Sequence, residues 1–251
     1  MQTWRLIPLL ETSGVFQMAL DAWLLAQHQQ GKHPSTLRFY TWNPPTISLG
    51  YHQRRWPEHW QNLSWQGHPV ELVRRPTGGR AVLHYGDLTY AVITSGLRGN
   101  RMQVYQTLCE FLLEGWRSLG VDLHYGQAGR GYIQNPNCFG TATSADLVMK
   151  DGAKLIGSAQ VYQKNAVLQH GSIQLQPSSD LFMQVFGVEP QFPNLPLQQT
   201  GKAQIETVIN ALVEAAGRCF AASFEVQPLS EAEWQAILSK VKGTSGLSRL
   251  F

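Results

Sequence analysis

Between Ala145 and Leu175 the chain reads ADLVMK, then Asp-Gly, then AKLIGSAQVYQ, then Lys-Asn, then AVLQHGSIQL, and that punctuation constrains the fold more than any other feature. Asp151-Gly152 supplies the positive φ angles that a tight hairpin turn demands. Lys164-Asn165 marks the next reversal. The β-branched and apolar runs on either side predict three antiparallel strands. A hairpin frame lays residues distant in sequence side by side. This one carries Lys154 and His170, and it follows closely on Cys138 in the loop-like string Asn-Pro-Asn-Cys-Phe-Gly. A cysteine attacks as its thiolate, so a nucleophilic one needs a base or a cation nearby.

Before that frame, Thr3 to Leu10 predicts a first strand, and Gly14 opens a helix over VFQMALDAWLLAQHQQ. Its apolar positions Met18, Leu20, Trp23, Leu24 and Leu25 leave Gln17 and Asp21 on the other side. LRFYTW and TISLG are short strands separated by Asn43-Pro44-Pro45. VELVRR, AVLH and LTYAVITS are further strands around a Pro76-Thr77-Gly78-Gly79 turn. Asn100 caps a helix from Arg101 to about Leu119, with Cys109 as an inert core residue inside it. After a short helix at SSDLFMQVF comes a proline-containing connector, and then an amphipathic helix from Lys202 to Phe220 with Ile205, Val208, Ile209, Leu212 and Val213 as its stripe. Cys219 near its end is expected to be buried. Ser230 and Glu233 form a capping box for a last helix through about Lys240. The expected class is α+β, a mixed β-sheet core flanked by helices. The expected organisation is one catalytic domain over 1–251, with a core to about 220 and a short helical extension from about 221.

Composition narrows the function classes. The chain has 251 residues, 43% hydrophobic and 15% charged, with a formal net charge of +3. That length buries a substantial core without metals or disulfides. The charge excess is too small to indicate nucleic acid. Arg54/Arg55 reads as solvated surface. Arg74/Arg75 is the better candidate for docking an acidic partner or an anionic substrate arm. Cys109, Cys138 and Cys219 form neither a disulfide framework nor a metal spacing. An odd, sparse count fits a reducing cytosol. With no signal-peptide layout and no run of transmembrane length, the expectation is a soluble cytoplasmic protein acting on neither membrane nor nucleic acid.

One loop stands out. Arg75, Thr77, Gly78, Gly79, Arg80 and His84 belong to RRPTGGRAVLH, which follows a strand. Paired glycines let a backbone approach a ligand closely, and exposed amides there bind anions. The spacing is neither a P-loop nor a dinucleotide turn. By general chemistry alone this loop is as readily a hairpin or bulge.

The longer string RRPTGGRAVLHYGDLTYAV resembles the signature of the biotin/lipoate protein ligase and acyltransferase superfamily, within it the LipM-type octanoyltransferases. MALDAWLL, NCF, GAKLIGSAQ and LQHGSI complete the match in order, so the resemblance spans roughly Met18 to Leu175. The ligases of that superfamily tend to carry a third glycine where this chain has Arg80. The acidic residue usual after the loop histidine is replaced here by Tyr85. The resemblance implies the catalytic-domain fold of that superfamily, and the sequence itself gives no sign of a metal or a bound organic cofactor. It implies Cys138 as the acyl-accepting nucleophile and Lys154 as its cationic or basic partner. Arg75, Thr77, Gly78, Gly79, Arg80, His84, Gly157 and His170 match substrate-binding positions. His84 and His170 are both expected at strand ends, lining a pocket. The implied donor is octanoyl acyl carrier protein, and the implied acceptor is the lysine of a lipoyl domain such as the glycine-cleavage H protein. An ATP-dependent lipoate or biotin ligase that forms an acyl-adenylate is the alternative, and a non-catalytic acyl-carrier-binding module is a third.

Overall fold

The computed structural model describes residues 2–126 and 145–242. Cys138 lies outside the described residues. An eight-stranded mixed sheet forms the backbone of the fold, in the order β13 (Ala222–Val226), β1 (Gln2–Thr12), β2 (Thr36–Trp42), β8 (Asp87–Ser95), β12 (Ala166–Gln174), β11 (Lys154–Gln163), β10 (Asp146–Val148) and β9 (His124–Tyr125). β1 runs parallel to both β13 and β2, and the remaining pairs are antiparallel. The predicted hairpins are present: Gly152 sits at φ 85° and Lys164 at φ 54°.

Each face of this sheet buries different helices. Leu37, Phe39, Tyr90, Val92 and Val167 pack against α2 (Arg101–Ser118) and α4 (Gly201–Cys219). Asn100 caps α2 with a full capping box to Gln103. The opposite face, with Tyr40, Ala91, Ile93 and Leu168, packs on α1 (Gly14–Gln29), and α5 (Glu231–Lys242) lies on α1 in turn. The capping box at Ser230 and Glu233 is made in both directions, at 2.7 and 3.3 Å.

Gln17 and Asp21 are not on a solvent face of α1: both are completely buried. The apolar stripe is real, but α1 is covered on more than one side, so its polar positions also point into the protein.

A second, three-stranded sheet covers the rest of that face. It holds β3 (Thr46–Leu49) between β6 (Glu71–Arg74) and β7 (Val82–His84). A third core lies behind it, built on Ile47, Leu49, Leu83 and Trp60 against α3 (Ser179–Phe186). Trp60 belongs to a short 3-10 helix (Glu58–Asn62) and donates its indole N–H to the carbonyl of Val185 at 2.8 Å. Glu71 reaches from β6 to the start of α1, accepting from the Gly14 and Val15 amides at 2.5 and 3.4 Å. A carboxylate there complements the helix dipole.

The C-terminal elements are tied to the first strand. Arg5 is almost fully buried and donates to both Glu233 oxygens at 2.6 and 3.0 Å, and to the carbonyls of Gln227 and Pro228. Burial opposes ionisation of Glu233. The hydrogen bonds from Arg5 and Ser230, with the Arg5 charge, outweigh it and hold the carboxyl down at about 2. A carboxyl depressed in the fold stabilises it above the ordinary carboxylate range and loses that contribution as pH falls toward 2. Glu233→Gln should therefore speed amide exchange in α5 about ten-fold at neutral pH, and the difference from wild type should shrink on acidification. Equal exchange of the two proteins at neutral pH would remove the pair as the lock on α5.

Candidate active site

The two sheets do not touch everywhere. Between them lies a cleft whose floor is made by cross-strand rows. Ala159, His170, Ala91 and Arg38 are register partners across β11, β12, β8 and β2, and Gly157, Ser172, Thr89 and Tyr40 form the next row. Partners in an antiparallel sheet share a face, so both rows point the same way. Met18, Tyr40, Trp42, Val82 and Ala159 give the cleft apolar lining, and Gly78, Gly79, Gly157 and Gly171 line it too.

The glycine loop is shaped by close approach. A Cβ on Gly50 would stand 1.9 Å from the Gly79 carbonyl oxygen, and Gly79 itself has φ 93°. Neither position accepts a side chain without displacing backbone. Gly171 is equally confined, since a Cβ there would lie 2.5 Å from Ser158 Oγ and 2.7 Å from Tyr90.

Two buried chains of carboxylate, imidazole and hydroxyl span the floor. In the first, Asp21 Oδ2 meets His170 Nδ1 at 2.8 Å, and His170 Nε2 meets Thr77 Oγ1 at 2.7 Å. Asp21 also accepts from Arg38 at 2.8 Å and from the Tyr40 hydroxyl at 3.0 Å. In the second, Asp87 Oδ2 meets His84 Nδ1 at 2.8 Å, and His84 Nε2 meets Ser48 Oγ at 2.8 Å. Ser172 and Thr89 donate to the same Asp87 oxygen at 2.6 and 3.2 Å. Trp42 stacks on His84 with ring centres 3.9 Å apart and donates to Thr89. Burial pushes the His84 imidazole below its ordinary value, against the opposing pull of Asp87. A neutral His84 donates through Nδ1 and accepts at Nε2, and both its partners fit that tautomer.

Lys154 begins β11, as expected, but it is buried and ion-paired, with Nζ 2.8 Å from Asp146 Oδ1. Its ammonium packs on Gly157: a Cβ there would fall 2.9 Å from Lys154 Cε and 3.1 Å from Nζ. Gly157 lines the cleft, so the cation stands at its margin. The register of β10 on β11 shifts between Leu147 and Val148, and Val148 is the partner of Lys154. A bulge of this kind re-aims the side chains beside it. The Gly126 amide donates to the Asp146 carbonyl at 2.9 Å, so the described residues on either side of 127–144 are joined next to Lys154.

Other expected positions fall differently. Arg75 is buried, and its guanidinium donates to the carbonyls of Ser48, Gly78 and Arg80. Arg74 donates to the carbonyls of Gly50, Tyr51 and Gln53. The Arg74/Arg75 pair thus braces the loop backbone instead of presenting charge to an acidic partner. Arg80 is half-buried and supplies a carbonyl to that brace. Thr77 is wholly buried and holds His170. His84 ends β7, whereas His170 lies in the middle of β12, not at a strand end. Cys109 is sealed in the core, where burial raises its thiol to about 12, and Cys219 is half-buried. Asp21, Asp87 and Asp146 are the residues that sequence reasoning missed. Asp87 stands three residues after His84 and contacts it directly, although Tyr85 is the immediate neighbour.

The sequence matches the family described as the lipoyl protein ligase A/B catalytic domain over residues 13–217. It is 36% identical to octanoyltransferase LipM of Kyrpidia tusciae, over 96% of this chain and 90% of that protein. It is also 36% identical to octanoyltransferase LipM of Bacillus subtilis, over 85% of this chain and 80% of that one. Among solved structures, lipoate-protein ligase A bound with ATP superposes with a TM-score of 0.77 at 24% identity, covering 96% of this chain and 95% of that one. A bipartite lipoate protein ligase from Thermoplasma acidophilum gives 0.71 at 22% identity, over 96% and 93%. These likenesses show the fold expected from the resemblance.

The Asp21 cluster leads to a stability prediction. Asp21→Ala leaves the buried Arg38 guanidinium without its carboxylate, which should cost about 3–5 kcal/mol. Urea unfolding measures it, and a loss below about 1 kcal/mol would show that the charge finds water or another partner.

Proposed function

The chain belongs to the lipoyl protein ligase A/B catalytic-domain family, and from that premise we propose that it is an acyltransferase of protein lipoylation, an octanoyltransferase. The observation that carries this reading is the 36% identity to an octanoyltransferase across nearly the whole of both chains. The cleft fits the chemistry, with apolar walls for an alkyl chain and a buried lysine–carboxylate pair at its margin.

In the first step the Cys138 thiolate attacks the carbonyl carbon of an octanoyl thioester on acyl carrier protein. A new carbon–sulfur bond forms, the bond to the carrier sulfur breaks, and the carrier leaves as its thiol. One thioester replaces another, so little free energy is needed. In the second step the ε-amine of a lipoyl-domain lysine attacks that carbonyl. An amide forms, the cysteine thiolate leaves, and the amine gives up a proton. The Lys154–Asp146 pair serves both steps. Its ammonium favours the thiolate electrostatically, and the pair is placed to accept and return the proton. An amide is more stable than a thioester, so the sequence runs without ATP. The Gly78-Gly79 amides, or those near Gly171, supply donors to the oxyanion.

Incubation with octanoyl carrier protein in the absence of nucleotide, followed by intact-mass measurement, should reveal a hydroxylamine-labile octanoyl adduct. Cys138→Ala should abolish it. Lys154→Ala should slow acylation or discharge at least about a hundred-fold, the usual weight of a general acid–base group. Transfer that requires ATP and survives Cys138→Ala would instead identify a ligase.

A further inference from the structure

Among the described residues, β11 has one open side. Its first residues pair with both β10 and β12, but from Ser158 to Gln163 its only strand partner among the described residues is β12. Gln160, Val161, Tyr162 and Gln163 all line one groove of about 460 Å³. Successive side chains of a strand alternate faces, so four consecutive residues line one groove only where it runs along the strand's edge. Tyr51, His52 and Pro76 stand opposite, and Gly78 belongs to both this groove and the cleft. The groove therefore meets the cleft at Gly78.

Its chemistry is that of amide recognition. An unpaired edge offers backbone N–H and C=O groups to any extended amide chain. Gln163 Oε1 is buried with no hydrogen-bond partner among the described residues, an acceptor that calls for an N–H. At the same end Arg101 lies over the Tyr162 ring, 5.4 Å from its centre.

We propose that this edge groove holds the amide-bearing arm of the acyl donor, a phosphopantetheine-type thioester, with its amides paired to β11 and its phosphate directed toward Arg101. The inference rests on the transferase reading above. Lengths agree: from Gly157 to Gln163 a strand advances about 20 Å, and about thirteen bonds from sulfur to phosphorus reach roughly 16 Å. The acceptor lysine fits less well, because its methylenes carry no N–H for Gln163 and its amine must reach the reacting carbon.

The test compares an octanoyl thioester of pantetheine 4′-phosphate with an octanoyl thioester of mercaptoethanol, which lacks the arm. Val161→Trp, which fills the groove, and the milder Gln163→Leu should each raise the KM for the long-armed donor, the former about ten-fold, the weight of one or two lost hydrogen bonds. Cys138 acylation by the armless donor should stay within about two-fold of wild type. Equal loss with both donors, no loss with either, or a defect confined to discharge onto a lipoyl domain would overturn the assignment. Wild-type protein that accepts octanoyl from neither donor would sink the transferase reading instead. The groove is then judged by calorimetric titration with pantetheine 4′-phosphate. Binding to wild type that Val161→Trp abolishes upholds it; absent or equal binding overturns it.

Discussion

The glycine loop keeps its position because two buried carboxylates hold it through imidazoles. Asp21 belongs to the first helix and Asp87 to a central strand, yet each ends in a hydroxyl carried by the small sheet or its loop. A buried carboxylate is tolerable only when donors surround it. Asp21 has three, from Arg38, Tyr40 and His170. Such clusters add little net stability, because desolvation offsets most of the attraction. What they fix is geometry. Thr77 cannot shift without unpairing His170, and His170 cannot turn without taking one of the three partners from Asp21.

The resemblance of these chains to a hydrolytic triad is superficial. Thr77 is wholly buried, so its hydroxyl faces the imidazole and not the cleft. His84 is likewise occupied at both nitrogens, and burial keeps it neutral. Both histidines act as rigid spacers. The Arg75 guanidinium does similar work from beneath, bridging carbonyls on either side of the Gly-Gly turn. Together they leave the Gly78 and Gly79 backbone pre-set, the condition under which fixed dipoles stabilise developing charge most effectively.

Local signals in the sequence were legible, and remote ones were not. Asp151-Gly152 and Lys164-Asn165 turn as their chemistry requires, and Asn100 and Ser230 cap the helices they precede, since each depends on a few adjacent residues. β13 was not legible, because it is short and exposed, and it exists as a strand through its parallel pairing with β1 at the other end of the chain. Asp21 was misplaced for a related reason. Periodicity assigns polar residues on a helix to water, and only the tertiary fold reveals Arg38, Tyr40 and His170 waiting there. Arg75 looked like a binding charge because its backbone acceptors leave no trace in composition. Lys154 was found through the turn before it and the motif around it, but its partner Asp146 has no spacing rule that would single it out.

Asp146 joins several constraints in one residue. It begins β10, its carbonyl receives the Gly126 amide, and its carboxylate holds Lys154. The preceding residue, Ala145, accepts the Tyr105 hydroxyl from α2. The described residues Gly126 and Ala145 are therefore both fixed beside the partner of the lysine. Any shift of Asp146 would move the Lys154 ammonium and the Gly126 end of the described chain together. A lipoate-protein ligase A bound with ATP shares this fold, superposing closely despite low identity. One residue thus fixes both the lysine and the start of β10, so the register of β10 on β11 and the place of the ammonium at the cleft margin are a single constraint.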